Sequence, residues 1–360
     1  MADPRVEAYA KLLVERCLDV QPGWQVLVRS TPLARPLLEE ITRLVARRGA
    51  YVLLRLNFSP SQLAYDPIWA KEAPEELLRE LAPIERHDFE TADAAIVVVA
   101  PENTRDGSDI DPRRLALIAQ AREPALRRVA NDELPWVGCY YPTPAAAQEA
   151  GMTLEQFSDF VYGASLIDWE ALRERMQRIL ERLDRVDEVR ITAPGTDLTL
   201  SLAGRRGEID AGNSNMPGGE VFFSPVEDSA QGEIVFEYPA LRGGFVVEDI
   251  RLRFESGRIV EASASRDEEY LLATLDTDEG ARRLGELGVG CNPAIQRFIR
   301  NTLFDEKIEG TVHLAIGRGF EKLGGMNESA IHWDFVKEMR NGGELWCDGE
   351  VVQRDGRWLI

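Results

Sequence analysis

Short apolar segments alternate with helical patterns between residues 24 and 122, and this alternation constrains the fold more than any other feature of the chain. Each apolar segment has the length and residue types of a buried strand, and each intervening segment has apolar residues at helical spacing. Strands that alternate with helices predict an α/β domain built on a parallel sheet with helices on both faces. The predicted strands are 24–29, 51–56 and 94–99, and the predicted helices are 36–48, 75–81 and 112–122.

Folds of this kind often bind a dinucleotide at the first strand-to-helix turn, but the residues at that turn argue against such a site. The segment 29–36, RSTPLARP, has no glycine that would let the backbone approach a pyrophosphate, and no Walker motif occurs elsewhere. We interpret Ser30 and Thr31 as N-caps or turn residues. The chain is therefore not expected to bind NAD or ATP.

A charged amphipathic helix over 168–186 separates two parts of the chain that differ in their patterns of apolar residues. Beyond it the chain has short β segments with turn signals, one helix at about 277–287, and two hairpins near 348–349 and 355–356. This pattern predicts that an N-terminal α/β domain with a parallel sheet is followed by a C-terminal mixed α+β domain. The predicted domains are 1–186 and 187–360.

Composition limits the partners and the location of the protein. The chain has 62 acidic against 42 basic residues, and a net charge of −20 spread along its length repels phosphate backbones, so no nucleic acid is expected to bind. No stretch approaches the roughly 20 apolar residues of a membrane span, and the first residues lack a signal-peptide pattern, so we expect a cytoplasmic protein without membrane contact. Four widely spaced cysteines are predicted to be reduced and mostly buried: Cys17, Cys139, Cys291 and Cys347.

Two of the three histidines lie in the segment 311–336, which reads as two strands. At the two-residue period of a strand, His313 points away from its apolar neighbours, and His332 shares a polar face with Asp334. Imidazole and carboxylate donors arranged in this way can bind zinc, iron, cobalt or manganese. The same residues fit an alternative equally well, in which both histidines are core residues that donate to backbone carbonyls.

A metal held by these residues needs further ligands, and two glutamates at the ends of predicted elements are candidates. Glu220 follows the tight segment 213–219 and opens a short apolar strand. Glu286 lies at the end of the predicted helix, just before the loop 290–294. Spacing alone does not distinguish either residue from the many solvated glutamates of the chain.

Six motifs in the C-terminal half resemble the aminopeptidase T and aminopeptidase S family of metallopeptidases. Their order and most of their spacings agree with the family, whereas the N-terminal half is similar in pattern only. The motifs are APGTDLTLSL (193–202), NMPGGEVFFSP (215–225), ARRLGELG (281–288), HLAIGRGF (313–320), NESAIHWDF (327–335) and GELWCDGEVV (343–352).

The resemblance implies a two-metal exopeptidase that removes N-terminal residues from peptides with a free amine. Two divalent ions, zinc, cobalt or manganese, would lower the pKa of a bound water and polarise the scissile carbonyl. Glu286 is the candidate general base as well as a ligand. The resemblance also implies a homodimer. The metal ligands carry over to Glu220, Glu286, His313, His332 and Asp334.

The chain departs from the family pattern within the segment that carries the histidines. The family has a tyrosine seven residues after the first histidine, where it touches the metal or the developing oxyanion, and this chain has Phe320. A phenyl ring can neither ligate a metal nor donate a hydrogen bond. Arg318 is a candidate replacement, although a surface cation is the simpler interpretation. The segment between the two histidines is also shorter than is usual in the family.

Two other function classes compete with the peptidase. The same fold is used by an iron-dependent dioxygenase that cleaves dihydroxypyridine rings, and two histidines with one carboxylate form the facial triad of non-haem Fe(II) oxygenases. In that case the triad would be His313, His332 and Asp334 without either glutamate. The third possibility is a non-catalytic binding protein descended from a peptidase. Two divalent ions per chain favour the peptidase, and a single ferrous ion favours the oxygenase.

Overall fold

The computed structural model describes residues 3–58, 66–130 and 133–360. Its contacts divide the chain into two compact units, Met1–Ile167 with Gly212–Pro217 and Asp168–Ala211 with Gly218–Ile360. The helix predicted to end the first domain at residue 186 belongs to the second unit, because its apolar side packs against strands of that unit. The sequence predicted a domain boundary near residue 186, and the assignment of separate roles to the two domains stays a prediction.

The first unit alternates helices and strands as the apolar pattern predicts. A π-helical turn, Leu12–Cys17, extends the first helix, and a 3-10 turn, Pro32–Ala34, precedes the second. The strands are β1 Gln25–Ser30, β2 Tyr51–Leu56, β3 Ala94–Val99 and β4 Trp136–Tyr140, and the helices are α1 Pro4–Lys11, α2 Arg35–Arg47, α3 Pro67–Glu72, α4 Glu75–Leu78, α5 Pro83–Thr91, α6 Pro112–Ala130, α7 Pro144–Glu149 and α8 Leu154–Ser165.

The four strands form a parallel sheet in the order β2-β1-β3-β4, which confirms the predicted α/β class of this half. The side chain of Thr31 accepts a hydrogen bond from the Leu33 N–H at the turn after β1, so it caps that turn as predicted. Leu27, Phe89 and Leu134 belong to the buried apolar cluster beside the sheet. None of the helices in the described ranges is long and apolar enough to cross a membrane.

The second unit is mainly antiparallel β structure, in agreement with the predicted mixed α+β class. The two-residue strand β8 lies in this part of the sequence but belongs to the first unit, where it pairs in parallel with β4. The strands are β5 Glu188–Ala193, β6 Thr196–Ser201, β7 Gly207–Asp210, β8 Asn215–Met216, β9 Glu220–Phe223, β10 Gln231–Phe236, β11 Ala240–Arg242, β12 Phe245–Val247, β13 Ile250–Glu255, β14 Arg258–Ser263, β15 Leu284–Gly290, β16 Thr311–Gly317, β17 His332–Glu338, β18 Glu344–Cys347, β19 Glu350–Arg354 and β20 Arg357–Trp358, and the helices are α9 Trp169–Leu183, α10 Glu268–Leu275 and α11 Thr302–Asp305.

Two large sheets organise this unit. An eight-stranded sheet runs β14-β13-β10-β6-β5-β18-β19-β20 and contains both predicted C-terminal hairpins, with turns at Asp348-Gly349 and Asp355-Gly356. A five-stranded sheet runs β17-β16-β15-β9-β7, and every neighbouring pair in it is antiparallel. The five-stranded sheet carries all five candidate ligands, so its register determines the geometry of the site.

The helix predicted at about 277–287 is wrong. A short 3-10 turn, Glu279–Arg282, is followed by strand β15, whose seven residues are all buried between β16 and β9. Its sequence, LGELGVG, has three glycines, which weaken a helix and allow neighbouring backbone to approach closely. A Cβ on Gly285, for example, would lie 2.2 Å from the carbonyl oxygen of Arg318. Glu286 therefore lies in the middle of a sheet and not at the end of a helix.

Candidate metal centre

The register of the five-stranded sheet brings the five candidate ligands onto one face. Residues that pair directly across antiparallel strands point to the same side of a sheet. Three pairs link a candidate ligand to a glycine, and two pairs meet at the same alanine. The pairs are Glu220 with Gly290, His313 with Gly288, His332 with Gly317, Glu286 with Ala315 and Asp334 with Ala315.

Glu286 lies between the two histidines and faces one with each of its oxygens. Its Oε1 is 3.3 Å from Nε2 of His313, and its Oε2 is 3.1 Å from Nε2 of His332. The carboxylate is 5% exposed, so water contributes little to its solvation. A buried carboxylate that shares its two oxygens between two nitrogen donors has the arrangement of a ligand common to two cation positions.

The other two carboxylates complete two groups of ligand atoms, each group lying within 4.8 Å. Glu220, Glu286 and His313 form the first group, and Glu286, His332 and Asp334 form the second. Oε2 of Glu220 is 3.5 Å from Nε2 of His313, and Oδ1 of Asp334 is 3.7 Å from Nε2 of His332. The two histidines fall in different groups, so the described residues do not gather His313, His332 and Asp334 into one facial triad.

The hydrogen bonds of the histidines bear on the alternative that they are ordinary core residues. Nδ1 of His332 donates to the carbonyl oxygen of Arg318 at 2.8 Å, as a core histidine would, and this leaves Nε2 to face the carboxylates. Nδ1 of His313 is buried and has no hydrogen-bond partner in the described part of the chain. Neither histidine is accounted for by backbone hydrogen bonds alone, because both direct Nε2 at Glu286.

Arg318, the candidate replacement for the family tyrosine, contributes to the centre through its backbone. Its carbonyl oxygen holds His332, while its guanidinium donates from Nε to the carbonyl oxygen of Ser329 at 3.1 Å. The ring of Phe320 lies 5.4 Å from the His332 ring and 5.3 Å from the Phe222 ring, measured between centroids. The side of the centre next to His332 is therefore aromatic and has no hydroxyl from residue 320.

The three carboxylates have different proton affinities. Burial opposes the charge of Glu286, but hydrogen bonds from His313 and His332 outweigh it and lower its pKa to about 2. Burial raises the pKa of Glu220 to about 8, although Lys307 and His313 act in the opposite direction. Burial also raises the pKa of Asp334 to about 6 against the charge of His332. In the absence of a metal, Glu286 is thus the carboxylate that the histidines hold ionised.

Both imidazoles have a raised pKa because each lies beside negatively charged carboxylates. Burial works against the charged form of His313, but the hydrogen bond and charge of Glu286 overcome it and raise its pKa to about 9. The same opposition, with Glu286 and Asp334 as partners, raises the pKa of His332 to about 10. The surroundings of both rings therefore favour positive charge, which a divalent ion supplies more strongly than a proton.

The donor set fits a divalent transition metal. Two imidazoles and three carboxylates are the ligands that zinc, cobalt and manganese accept. Oε2 of Glu220 is buried without a hydrogen-bond partner in the described ranges, and Nδ1 of His313 shares this property. A buried carboxylate oxygen without a hydrogen bond is costly unless a cation compensates for it. The observed arrangement therefore suits a cation between Glu220, Glu286 and His313.

Two residues that matter to the centre carry no signal in the sequence. A Cβ on Gly288 would lie 2.0 Å from Nε2 of His313, so only glycine leaves room for this imidazole. Lys307 is 0% exposed and places Nζ 3.3 Å from Oε1 of Glu220, next to Glu306. Burial opposes the charge of Lys307, but Glu220, Glu306 and Asp210 hold its pKa above the usual value. Both contacts depend on strands and loops distant in sequence.

Comparisons with known proteins show relatives and solved structures that match nearly the whole chain. Aminopeptidase 2 of Geobacillus stearothermophilus is 28% identical, with 99% of this chain and 98% of that protein covered. The solved structure of wild-type AmpT from Thermus thermophilus matches with a TM-score of 0.84 at 26% identity, over 99% of both chains. The structure of 2,5-dihydroxypyridine dioxygenase from Pseudomonas putida KT2440 matches with a TM-score of 0.66 at 14% identity, over 100% of this chain and 98% of that one, which shows a shared fold alone.

The family model described as thermophilic metalloprotease (M29) covers almost the whole chain, from residue 2 to residue 358. The match includes both compact units and every candidate ligand, and it agrees with the family that the six motifs resemble. A metalloprotease acts through a divalent metal, which accords with the two groups of imidazole and carboxylate donors. The chain therefore belongs to the M29 family of metalloproteases, a family of peptide-bond hydrolases.

Proposed function

We propose that this protein is an aminopeptidase that hydrolyses the N-terminal residue from peptides, and that its centre holds two divalent ions. One ion would be bound by Glu220, Glu286 and His313, and the other by Glu286, His332 and Asp334. The observation that carries the proposal is the position of Glu286, which offers one oxygen to each group. Zinc, cobalt and manganese all suit this donor set.

Divalent ions bound there would supply a water of lowered pKa and polarisation of the scissile carbonyl. The protein's contribution is to orient the donors before any ion arrives. The hydrogen bond from Nδ1 of His332 to the Arg318 carbonyl fixes the ring with Nε2 toward Glu286. The space above Gly288 lets His313 reach the same carboxylate from the neighbouring strand.

A free peptide amine is the natural partner of such a centre because it is positively charged. Three carboxylates line the two groups, and Glu306 lies close enough to raise the pKa of Glu220 and Asp334. The negative potential of these carboxylates favours a protonated amine over an acylated N-terminus. The same potential supports exopeptidase activity rather than cleavage within a chain.

The geometry supports Glu286 as a ligand more directly than as the general base. Both of its oxygens face histidine nitrogens, and it is the carboxylate with the lowest pKa in the metal-free centre. A general base needs a pKa near the working pH, which Glu220 and Asp334 approach more closely. The general-base role of Glu286 stays a prediction from the sequence resemblance.

Metal analysis combined with a substrate panel tests the proposal. Chelated protein is reloaded with Zn²⁺, Co²⁺ or Mn²⁺, and the ions retained per chain are counted by mass spectrometry. We expect two ions per chain and hydrolysis of aminoacyl-p-nitroanilides, with no hydrolysis of the N-acetylated forms of the same substrates. Glu286→Gln should lose both ions, whereas Glu220→Gln and Asp334→Asn should each lose one.

The outcomes of this experiment separate the function classes. A single ferrous ion per chain, retained by Glu220→Gln and Glu286→Gln, would indicate the oxygenase. Retention of metal without hydrolysis of any substrate under all three ions would indicate a binding protein. Light scattering on the same samples tests the proposed homodimer, and fractionation of the native cells tests the proposed cytoplasmic location.

A further inference from the structure

A fully buried lysine lies beside one half of the candidate metal centre. Lys307 follows helix α11, and its carbonyl oxygen accepts a hydrogen bond from the Asn292 N–H at 3.1 Å. This bond fixes the backbone of Lys307 next to the end of β15, where Gly290 pairs with Glu220. The side chain therefore enters the centre from a loop and not from the sheet that carries the ligands.

The ammonium of Lys307 contacts two carboxylates and is closed off from solvent. Nζ lies 3.3 Å from Oε1 of Glu220 and forms a close ion pair with Oε1 of Glu306. The other oxygen of Glu220 is left facing Nε2 of His313 at 3.5 Å. Since a buried ammonium is stable only with such partners, Lys307 acts as a fixed positive charge on the far side of the Glu220 carboxylate.

The other half of the centre differs in its charged neighbours. Within the described ranges, no Lys or Arg side chain forms an ion pair with Glu286 or Asp334, whose partners are histidines. The two groups of donors share Glu286 and each contain one further carboxylate and one imidazole. Apart from burial, which is complete only for the group of Glu220, the charge of Lys307 distinguishes two otherwise similar donor sets.

We propose that Lys307 is a positioning residue that makes the two metal positions unequal, so that the ion held by Glu220, Glu286 and His313 is bound more weakly than the ion held by Glu286, His332 and Asp334. This inference rests on the two-ion centre proposed above. Lys307 holds Glu220 with one oxygen toward His313, and its charge opposes a second cation on the same carboxylate.

The orientation of Glu220 by Lys307 favours metal binding, whereas the positive charge of Lys307 opposes it. The relative sizes of the two effects decide whether loss of the lysine strengthens or weakens binding. Two unit charges about 4 Å apart shift an equilibrium about a thousandfold at an effective dielectric constant of about 20. Restricting the rotamers of one glutamate side chain is worth roughly tenfold. Repulsion therefore exceeds the gain from orientation, and loss of the lysine charge strengthens metal binding at this position.

Calorimetric titration of the chelated full-length protein with Zn²⁺, in the presence of a competing chelator, tests the inference. We expect two binding steps in the unmodified protein. His313→Ala should remove the weaker step and Asp334→Asn the stronger one, which assigns each step to its position. In Lys307→Met the weaker step should tighten at least tenfold while the stronger step changes less.

Lys337→Met is a matched control, because Lys337 is also 0% exposed and pairs with a glutamate, Glu237, that belongs to neither donor group. It should leave both steps unchanged while losing comparable thermal stability. Glu306→Gln tests the opposite sign, since it leaves the charge of Lys307 less compensated and should weaken the weaker step severalfold. Because the charge of Glu306 itself reaches both Glu220 and Asp334, only a weakening that is larger at the weaker step than at the stronger step supports the inference if Lys307→Met does not fold.

Two kinds of result would overturn the inference. An unchanged or weakened second step in Lys307→Met, or an unchanged or tightened one in Glu306→Gln, contradicts the role of Lys307 and leaves the two-ion centre intact. A single step or none in the unmodified protein contradicts the two-ion centre itself, and the inference falls with it.

Discussion

Replacing Gly288 with alanine adds one methyl group and should disable half of the metal centre. The added Cβ would lie 2.0 Å from Nε2 and 2.2 Å from Cε1 of His313. Ordinary contacts between such atoms are about 3.5 Å, so the imidazole must move by about 1.5 Å. The backbone of His313 pairs on both sides, with β15 and β17, and cannot follow, so the ring has to rotate out of its place.

A displacement of this size is too large for a metal ligand. Metal–ligand distances tolerate changes of about 0.2 Å, so His313 should no longer bind an ion together with Glu220 and Glu286. We expect Gly288→Ala to retain one ion per chain instead of two. Activity should fall about a hundredfold or more, because misplacement by about 1 Å at a catalytic centre has effects of that order. Overpacking should reduce the free energy of unfolding by about 1–3 kcal/mol.

The assay combines metal counting, hydrolysis of an aminoacyl-p-nitroanilide and thermal unfolding monitored by circular dichroism. Gly163→Ala is the matched control, since Gly163 lies in helix α8 and a Cβ there meets nothing within 4 Å. The control should keep both ions and gain about 0.5–1 kcal/mol of stability, as alanine does in a helix. Two ions and unchanged activity in Gly288→Ala would refute the assignment of His313 as a ligand.

Further predictions concern other parts of the site and its surroundings. Phe320→Tyr introduces a hydroxyl beside His332 and should raise kcat about tenfold or more with little change in KM. Steady-state kinetics on the metal-loaded protein measures both constants. An unchanged kcat would show that residue 320 does not reach the reacting group. Burial opposes the charge of Glu338, but hydrogen bonds from Arg340 and Tyr238 outweigh burial and lower the pKa of Glu338 to about 2. The contribution of the ionised Glu338 to stability is therefore complete above the unfolded pKa of about 4.5 and is lost as the pH falls toward 2. Urea unfolding in a chelator should therefore show Glu338→Gln less stable than the unmodified protein at pH 6, with a difference that shrinks by pH 3, and a constant difference would contradict this account.

The sequence predicts the strands that carry the histidines because their apolar and polar residues alternate locally. β16 and β17 lie where the period of two places them, and the parallel sheet of the first unit follows from segments that can be read one at a time. Glu286 is different, because the apolar residues around it also fit a helix and only pairing with β9 and β16 makes the segment a strand. That pairing joins segments up to 70 residues apart, which no local pattern records.

The strand conformation of β15 also explains why the position of Glu286 could not be inferred from spacing. In a strand, residues 286, 288 and 290 share one face, so a carboxylate, an empty position and a second empty position follow each other along β15. The imidazole of His313 takes the space at Gly288, and the backbone of Ile308 takes the space at Gly290, which pairs with Glu220. Gly288 therefore makes room for a side chain of another strand and Gly290 for a loop, and the candidate ligands are seen together only once the register is known.

Lys307 and Glu286 have complementary positions in one group of charges. Glu286 supplies negative charge to both donor groups, whereas Lys307 supplies positive charge to one of them only. A centre built from a shared carboxylate alone would treat its two positions alike, since each has one imidazole and one further carboxylate. Because the lysine enters from a loop outside the sheet that carries the candidate ligands, the proposed inequality of the two positions should change on substitution of that loop while every candidate ligand stays in place.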